Sequence, residues 1–128
     1  MPSRSPALSS LAQAAGRIRA GEDALHAIRE FLDQVNHLED AQVEALIVAR
    51  PMDTGDARAD ALLAAVAEHL AATLSLACPA WVDEPHRFLD RFWFVSDVPG
   101  FRAVALAQTP MALKRRGIFW PARSLVRV

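Results

Sequence analysis

The sequence predicts an all-α protein: a compact multi-helix domain whose C-terminal half consists of short helices and is rich in aromatic residues. Alanine supplies much of the 52% hydrophobic content, tyrosine is absent and there are only five glycines. Alanine favours helix, and few residues here are typical of strands. At 128 residues the chain is long enough for one domain spanning 1–128, with three or four longer helices in 1–76 and short helices and turns in 77–128.

Two helices are predicted in the first 36 residues. Ser5-Pro6 is typical of an N-cap followed by proline at the first helical position, and Ala20-Gly21 ends this helix. Asp23 can cap the second helix. Its apolar residues follow helical spacing at Leu25, Ile28, Leu32 and Val35.

A third and a fourth helix follow. Asp40 can cap the third helix, which Pro51 terminates. Asp56 can cap the longest helix of the chain, at roughly 57–75. Alanines in this helix would permit close packing of its neighbours.

After Leu76 the chain changes character, since eight of the nine Phe and Trp residues lie at or beyond position 81. Short helices are predicted from Glu84-Pro85 through Asp90, after Asp97, and after Thr109-Pro110. Gly117 would close the last of these, and Ile118-Phe119 would then be extended. Pro121 would begin a final helical turn. The predicted core residues are Leu25, Ile28, Leu32, Leu62, Leu63, Val66, Leu70, Trp81, Phe88, Leu89, Trp93 and Phe119.

Charge is distributed unevenly along the chain. Residues 1–85 carry a net charge of −7 and residues 86–128 a net charge of +6. This asymmetry indicates either an interaction with an acidic protein surface or nucleic acid, or attraction between the two halves within the fold.

Catalytic, metal and cofactor motifs are not evident in the sequence. The glycines do not cluster into a phosphate loop, and the four histidines are scattered. Cys78 lies among apolar residues and is predicted to be a small buried side chain. We therefore expect no enzymatic activity, no catalytic residues, no metal and no cofactor. No apolar run is long enough for a bilayer span and no secretory signal is apparent, so no membrane association and a cytoplasmic location are expected.

The basic C-terminal segment holds the candidate partner-binding residues. They are Arg102, Lys114, Arg115, Arg116, Trp120, Arg123 and Arg127. The arginines could clamp the carboxylates of an acidic protein. Alternatively they could attract phosphates while Phe119 and Trp120 stack on single-stranded bases. A third interpretation is structural: Lys114, Arg115 and Arg116 complement a helix C-terminus and need no partner. We expect Ile118 and Phe119 to tie the tail to the core while Arg115, Arg116, Arg123 and Arg127 remain available at the surface.

A family resemblance bears on these alternatives. The segments LLAAVAEHLAATLSLACPAWVDEPHRFLDRFWF and FRAVALAQTPMALKRRGIF resemble small bacterial proteins of high-GC genomes encoded beside nucleotidyltransferase-like toxins. The resemblance is carried by short pieces whose order and spacing agree over residues 25–128. These pieces are Ala67–Leu70, Pro79–Val82, Arg87–Leu89, Trp93-Phe94 and Pro110–Phe119. Phe92 departs from the pattern, which has proline there, and Gln108-Thr109 replaces Glu-Ser.

The resemblance implies an antitoxin-like, non-enzymatic protein that binds and neutralises a nucleotidyltransferase-type toxin. Such a toxin holds metal and nucleotide phosphates with carboxylates, so a neutralising partner could cover that acidic pocket, insert an arginine or lock the toxin in an inactive shape. The alternative is a nucleic-acid-binding transcriptional regulator that uses the basic C-terminal half. The expected partners are thus a cognate toxin protein or, in the alternative, nucleic acid.

Overall fold

The computed structural model describes residues 8–125 and is mostly helical over that range. The helices are α1 (Leu11–Arg19), α2 (Ala24–Val35), α3 (Asp40–Ile47), α4 (Ala57–Leu74), α5 (Phe101–Gln108) and α6 (Met111–Lys114). Short 3₁₀ helices span Ala80–Asp83, Pro85–Arg87 and Ala122–Ser124, and two short strands are β1 (Trp93–Phe94) and β2 (Ile118–Phe119). None of the helices in the described range is long and apolar enough to cross a membrane.

Helix α4 is the central element of the fold. It packs against α1, α2, α3, α6 and the first two 3₁₀ helices. Every residue from Ala59 to Ala67 is buried, and so are Leu70 and Ala71. The small alanine side chains let the surrounding elements approach the α4 backbone closely, which explains how one helix can be enclosed on nearly all sides.

Local capping signals locate most helix starts in the first half of the chain. As predicted, Asp23 caps α2 by accepting a hydrogen bond from the His26 amide, and Asp56 caps α4 by accepting from the Arg58 and Ala59 amides. The predicted start of α1 was wrong. The helix begins at Leu11, and its N-cap is Ser10, which forms a capping box with Gln13. Ser5-Pro6 itself lies outside the described residues. Helix α3 is capped by Glu39, one residue before the predicted Asp40.

The C-terminal half contains a feature that the sequence did not predict, a parallel strand pair. Trp93 aligns with Ile118 and Phe94 with Phe119, and the chain between them forms α5 and α6. The Trp93 amide donates to the Gly117 carbonyl at 2.7 Å and the Val95 amide donates to Phe119 at 3.2 Å. The extended conformation predicted for Ile118-Phe119 is therefore confirmed, while its partner strand is an addition to the predicted all-α architecture.

Two of the short C-terminal helices differ in detail from the prediction. The helix that starts at Pro85 ends at Arg87 rather than continuing to Asp90. Helix α5 begins at Phe101 after Gly100, with a φ of 82°, instead of being capped by Asp97. Helix α6 follows Pro110, and a 3₁₀ turn follows Pro121, as predicted.

Most of the predicted core residues are buried. Leu25, Leu89 and Trp93 are partly buried and pack against the core. Phe88 is also only half-buried, and its ring lies beside the guanidinium groups of Arg115 and Arg116. The indole Nε1 of Trp81 donates to the Ile47 carbonyl at 3.2 Å, which satisfies its polar group inside the core.

A fully buried arginine connects the second 3₁₀ helix to α4. The Arg87 guanidinium donates to the Pro51 carbonyl at 2.9 Å, to the Asp60 carbonyl at 3.1 Å and to the Glu84 carboxylate at 2.9 Å. Its Cζ also lies 4.8 Å from the centre of the Trp81 ring. Because these donors are paired, the buried charge is compensated. The same hydrogen bonds hold the segment before β1 in place.

Substitution of two glycines tests the backbone conformations of this fold. Gly117 has a φ of +83°, and an added Cβ would meet only ordinary van der Waals contacts, so Gly117→Ala should destabilise the protein through its backbone by about 1–2 kcal/mol. Gly16 lies inside α1 with open space around an added Cβ, so Gly16→Ala should stabilise it by about 0.5–1 kcal/mol. Urea denaturation measures the free energy of unfolding of both variants. Changes of equal size and sign in the two would contradict the backbone conformations assigned to these glycines.

Candidate partner-binding surface

A cluster of two arginines and two carboxylates joins the end of α6 to α4. Arg115 Nη2 lies 2.6 Å from Glu68 Oε1 and 2.6 Å from Asp83 Oδ1. Arg115 Nε donates to both oxygens of Glu68 at 3.0 Å. Arg116 Nη1 lies 2.7 Å from the same Glu68 Oε1. One carboxylate on α4 is therefore shared by two consecutive arginines.

Arg116 is buried, contrary to the prediction that it remains at the surface. It is 1% exposed and donates to the carbonyls of Ala112 and Val82, each at 2.7 Å. Arg116 can enter the interior because α6 ends at Lys114 and the chain then turns toward α4. This guanidinium is a structural tie and offers nothing to a partner.

The pKa of Glu68 reflects two opposing effects. Burial by itself raises the pKa of this carboxyl, but hydrogen bonds from Arg115 and Arg116 outweigh it, so the pKa lies below its ordinary value. Hydrogen bonds to Glu68 and Asp83 raise the pKa of Arg115, whereas burial lowers that of Arg116. The cluster is accordingly an ionised network at neutral pH.

Trp120 was predicted to contact a partner, but it is also buried. It is 2% exposed, and the Cζ of Arg29 on α2 lies 5.5 Å from its ring centre. Phe119 is buried as well, at the end of β2. The prediction that Phe119 and Trp120 stack on nucleic-acid bases is therefore wrong, because both side chains are packed against the protein.

The other predicted basic residues are distributed over different surfaces. Arg102 and Arg123 are exposed, Lys114 is half-buried, and the Arg115 side chain keeps 37% of its surface exposed despite its ion pairs. Arg123 lines a cavity between α2 and the last 3₁₀ helix, while Arg102 lines two cavities near α5. Arg127 lies outside the described residues.

Arg102 belongs to a groove that the sequence did not predict, which we call the aromatic groove. Its lining residues are Arg58, Phe92, Trp93, Phe94, Val95, Asp97 and Arg102, around a cavity of about 350 Å³. The Cζ of Arg58 lies 5.1 Å from the Trp93 ring centre, and that of Arg102 lies 4.7 Å from the Phe94 ring centre. Two cations are thus held over two aromatic faces at one opening.

The Phe94 ring of the aromatic groove packs against the protein, whereas the Phe92 ring at its edge projects into solvent. Phe94 stacks on Phe119 with ring centres 4.6 Å apart, so the strand pair fixes this ring from below. Phe92 contacts Phe119 edge to face at 5.2 Å and is nevertheless 73% exposed. In the sequence, the run Arg91–Phe94 corresponds to this surface. Which of its side chains are exposed depends on which residues pair with β2.

Cys78 is exposed, which contradicts its predicted burial. It lines a cavity of about 310 Å³ together with Leu76, Glu68, Asp83 and Arg115, among others. Partial burial, aided by the nearby carboxylates, raises the pKa of the thiol. A raised pKa disfavours the thiolate, so this cavity lacks the activation that a cysteine nucleophile needs.

Histidines and carboxylates do converge in two places within residues 8–125. One group is Glu22, His26 and Glu30, and the other is Asp53, Asp60 and His86. The sequence scatters these residues without a motif, which is why it did not predict either group. Burial lowers the pKa of His69, which lies in neither group.

Compared with known protein families, with curated proteins and with solved structures, the chain matches none.

Replacement of Glu68 tests the shared-carboxylate cluster. Since the folded pKa of Glu68 is depressed, its contribution to stability is present above the unfolded pKa of about 4.3 and is lost as pH falls through the folded pKa. Glu68→Gln should cost roughly 2–3 kcal/mol at pH 7, because it leaves Arg116 buried without its carboxylate. The difference from the unmodified protein should shrink as the pH falls below about 4.

Chemical denaturation at several pH values measures this difference. Glu44→Gln is the matched control, because Glu44 accepts a hydrogen bond from the Ala77 amide and takes part in no arginine pair within the described range. A pH-independent loss in Glu68→Gln, or an equal pH-dependent loss in the control, would contradict the role of the arginine pair.

Proposed function

We propose that the chain is an antitoxin-like, non-enzymatic protein that binds and neutralises a nucleotidyltransferase-type toxin through its aromatic groove. The observation that carries this proposal is the 73% exposed ring of Phe92 at a groove lined by Arg58 and Arg102. The resemblance over residues 25–128 supplies the class of partner. Arg116 and Trp120 are buried, so we leave them out of the proposed contact.

Aromatic and arginine side chains at one surface are typical of protein interfaces. Aromatic residues and arginine are enriched there, and a few of them carry most of the binding free energy. Arg58 and Arg102 lie over aromatic rings, so their side chains are already ordered and lose less conformational entropy on binding.

An apolar rim extends the aromatic groove along α5. Val98 lines the adjacent cavity with Arg102 and is 65% exposed. Leu106 is exposed and lies one turn after Arg102, on the same side of α5. A partner that covers these residues would bury apolar surface around the two cations.

The chemistry of the groove complements that of the proposed partner. A nucleotidyltransferase site presents carboxylates that hold metal and nucleotide. Arg58 and Arg102 could donate paired hydrogen bonds to such carboxylates while Phe92 excludes water. Asp97 is the one acidic residue among the groove's described lining residues, so the opening favours anionic groups.

Nucleic-acid binding by a transcriptional regulator is the alternative, and one observation favours it. An exposed aromatic ring beside two arginines is also how single-stranded bases and phosphates are held. Such binding would fall steeply with salt. We prefer the protein partner because Val98 and Leu106 add apolar surface that a phosphate backbone would not cover.

The proposal predicts which substitutions abolish partner binding. A tagged pull-down from the native host at moderate salt, with nuclease treatment and mass spectrometry, should recover a nucleotidyltransferase-like protein. With that protein purified, Phe92→Ala and Arg102→Glu should each weaken binding by about 30-fold or more, the range expected for residues that dominate an interface. Both variants should also fail to rescue growth when the two proteins are co-expressed.

Two matched variants separate the groove from the rest of the surface. Val48→Ala removes another exposed apolar side chain, and Arg123→Glu reverses another exposed arginine. Both should bind as the unmodified protein does, provided that circular dichroism shows an intact fold for all four variants. Loss of binding in Arg123→Glu but not in Arg102→Glu would place the contact elsewhere. Recovery of nucleic acid alone, released by salt, would favour the regulator.

A further inference from the structure

Three ligating side chains converge where the segment between α3 and α4 meets the second 3₁₀ helix. Asp53 lies in that segment, Asp60 in the first part of α4, and His86 in Pro85–Arg87. One ligand atom from each lies within 4.8 Å of the others. Three separate parts of the chain therefore meet at one point.

Asp60 is the most informative member of this group. It is 6% exposed, and the hydrogen bonds from the Thr54 amide at 2.9 Å and the Thr54 hydroxyl at 2.8 Å both end on Oδ1. Within the described range, no cationic side chain pairs with this carboxylate, and both of its hydrogen-bond donors belong to Thr54. The N-terminal end of α4 supplies only partial positive charge. A buried carboxylate that has no cationic partner favours a bound cation.

The other two ligands are already close to each other. His86 Nε2 lies 3.1 Å from Asp53 Oδ1, near the separation of about 3.3 Å expected between two ligand atoms on tetrahedral zinc. The side chains of His86 and Asp53 are 39% and 61% exposed. They can therefore shift toward Asp60 without disturbing the core.

Nearby arginines limit the affinity of this group but do not block it. Arg50 Nη2 lies 3.2 Å from Asp53 Oδ1, yet its Nε also holds Glu84 at 2.8 Å and would keep that partner if Asp53 turned away. Arg87 contacts the backbone carbonyl of Asp60, not its carboxylate. The positive charge of these groups should weaken the binding of a cation, because like charges repel.

The second histidine group provides a contrast. Arg17 lies 3.4 Å from Glu22 and 3.7 Å from Glu30, so a cation already faces both carboxylates. His26 and Glu30 are exposed on one side of α2. This group also combines one histidine with two carboxylates, but both carboxylates face Arg17, which makes it a suitable control.

We propose that Asp53, Asp60 and His86 bind one divalent transition-metal ion, with Zn²⁺ as the best fit. One imidazole and two carboxylates suit zinc, and the imidazole disfavours Mg²⁺ and Ca²⁺, which prefer oxygen ligands. The ion would fasten the segment before α4 to the second 3₁₀ helix. This site lies beyond the proposed toxin-binding function and does not depend on it.

Calorimetric titration of the full, tag-free chain with ZnCl₂ after chelator treatment tests the site. We expect one Zn²⁺ per chain and a rise in melting temperature on zinc addition. His86→Gln and Asp53→Asn should each weaken binding by at least about tenfold, since even outer partners of a metal contribute roughly 10–100-fold. Both substitutions are at exposed positions, so the melting temperature without zinc should change little.

Two further variants decide whether any binding occurs at this site. His26→Gln alters the second group, and Cys78→Ser removes the exposed thiol that could bind zinc by itself. Both should retain the affinity and the thermal shift. Absence of binding, unchanged affinity in His86→Gln, loss in either control, or equal affinity for Mg²⁺ would each overturn the proposal. Because no partner protein is present, these outcomes are independent of toxin binding.

Discussion

The carboxylate of Glu68, shared by Arg115 and Arg116, is the interaction on which the C-terminal half depends. Helices of one or two turns are marginal by themselves, because nucleation costs more than so few hydrogen bonds return. Helix α6 spans Met111–Lys114 and ends directly before these arginines. Fastening that end to α4 sets the position of β2 and, through the strand pair, of β1 as well.

Buried arginines recur as ties to α4 in this chain. Arg87 binds the carbonyl of Asp60 in α4 and that of Pro51 before it. Arg116 pairs with Glu68 of α4 and also binds the carbonyls of Val82 and Ala112. A guanidinium has several donors in a fixed plane, so it can satisfy carbonyls from segments that do not form regular secondary structure together. This explains how irregular chain packs on a helix rich in alanine.

The helices were predictable where the signal is local, and the surfaces were not. Asp23, Asp56 and the apolar spacing of α2 and α4 act within a few residues, so sequence alone located those elements. Whether Arg115 lies free or paired depends on Glu68, which is 47 residues away. The positive C-terminal half is thus partly an internal complement to the acidic first half, and the aromatic groove appears only once β1 pairs with β2.

Helix α5 buries a single residue fully, Ala105, and it lies between two strands that are anchored to the core. Opening this helix would expose little apolar surface, so its free energy of local unfolding should be lower than that of the globule as a whole. Residues 101–108 would then exchange amide hydrogens independently of α4. If a partner orders this segment on contact, part of the binding free energy is used to fold α5. The affinity of the complex would then depend on the stability of this one small helix.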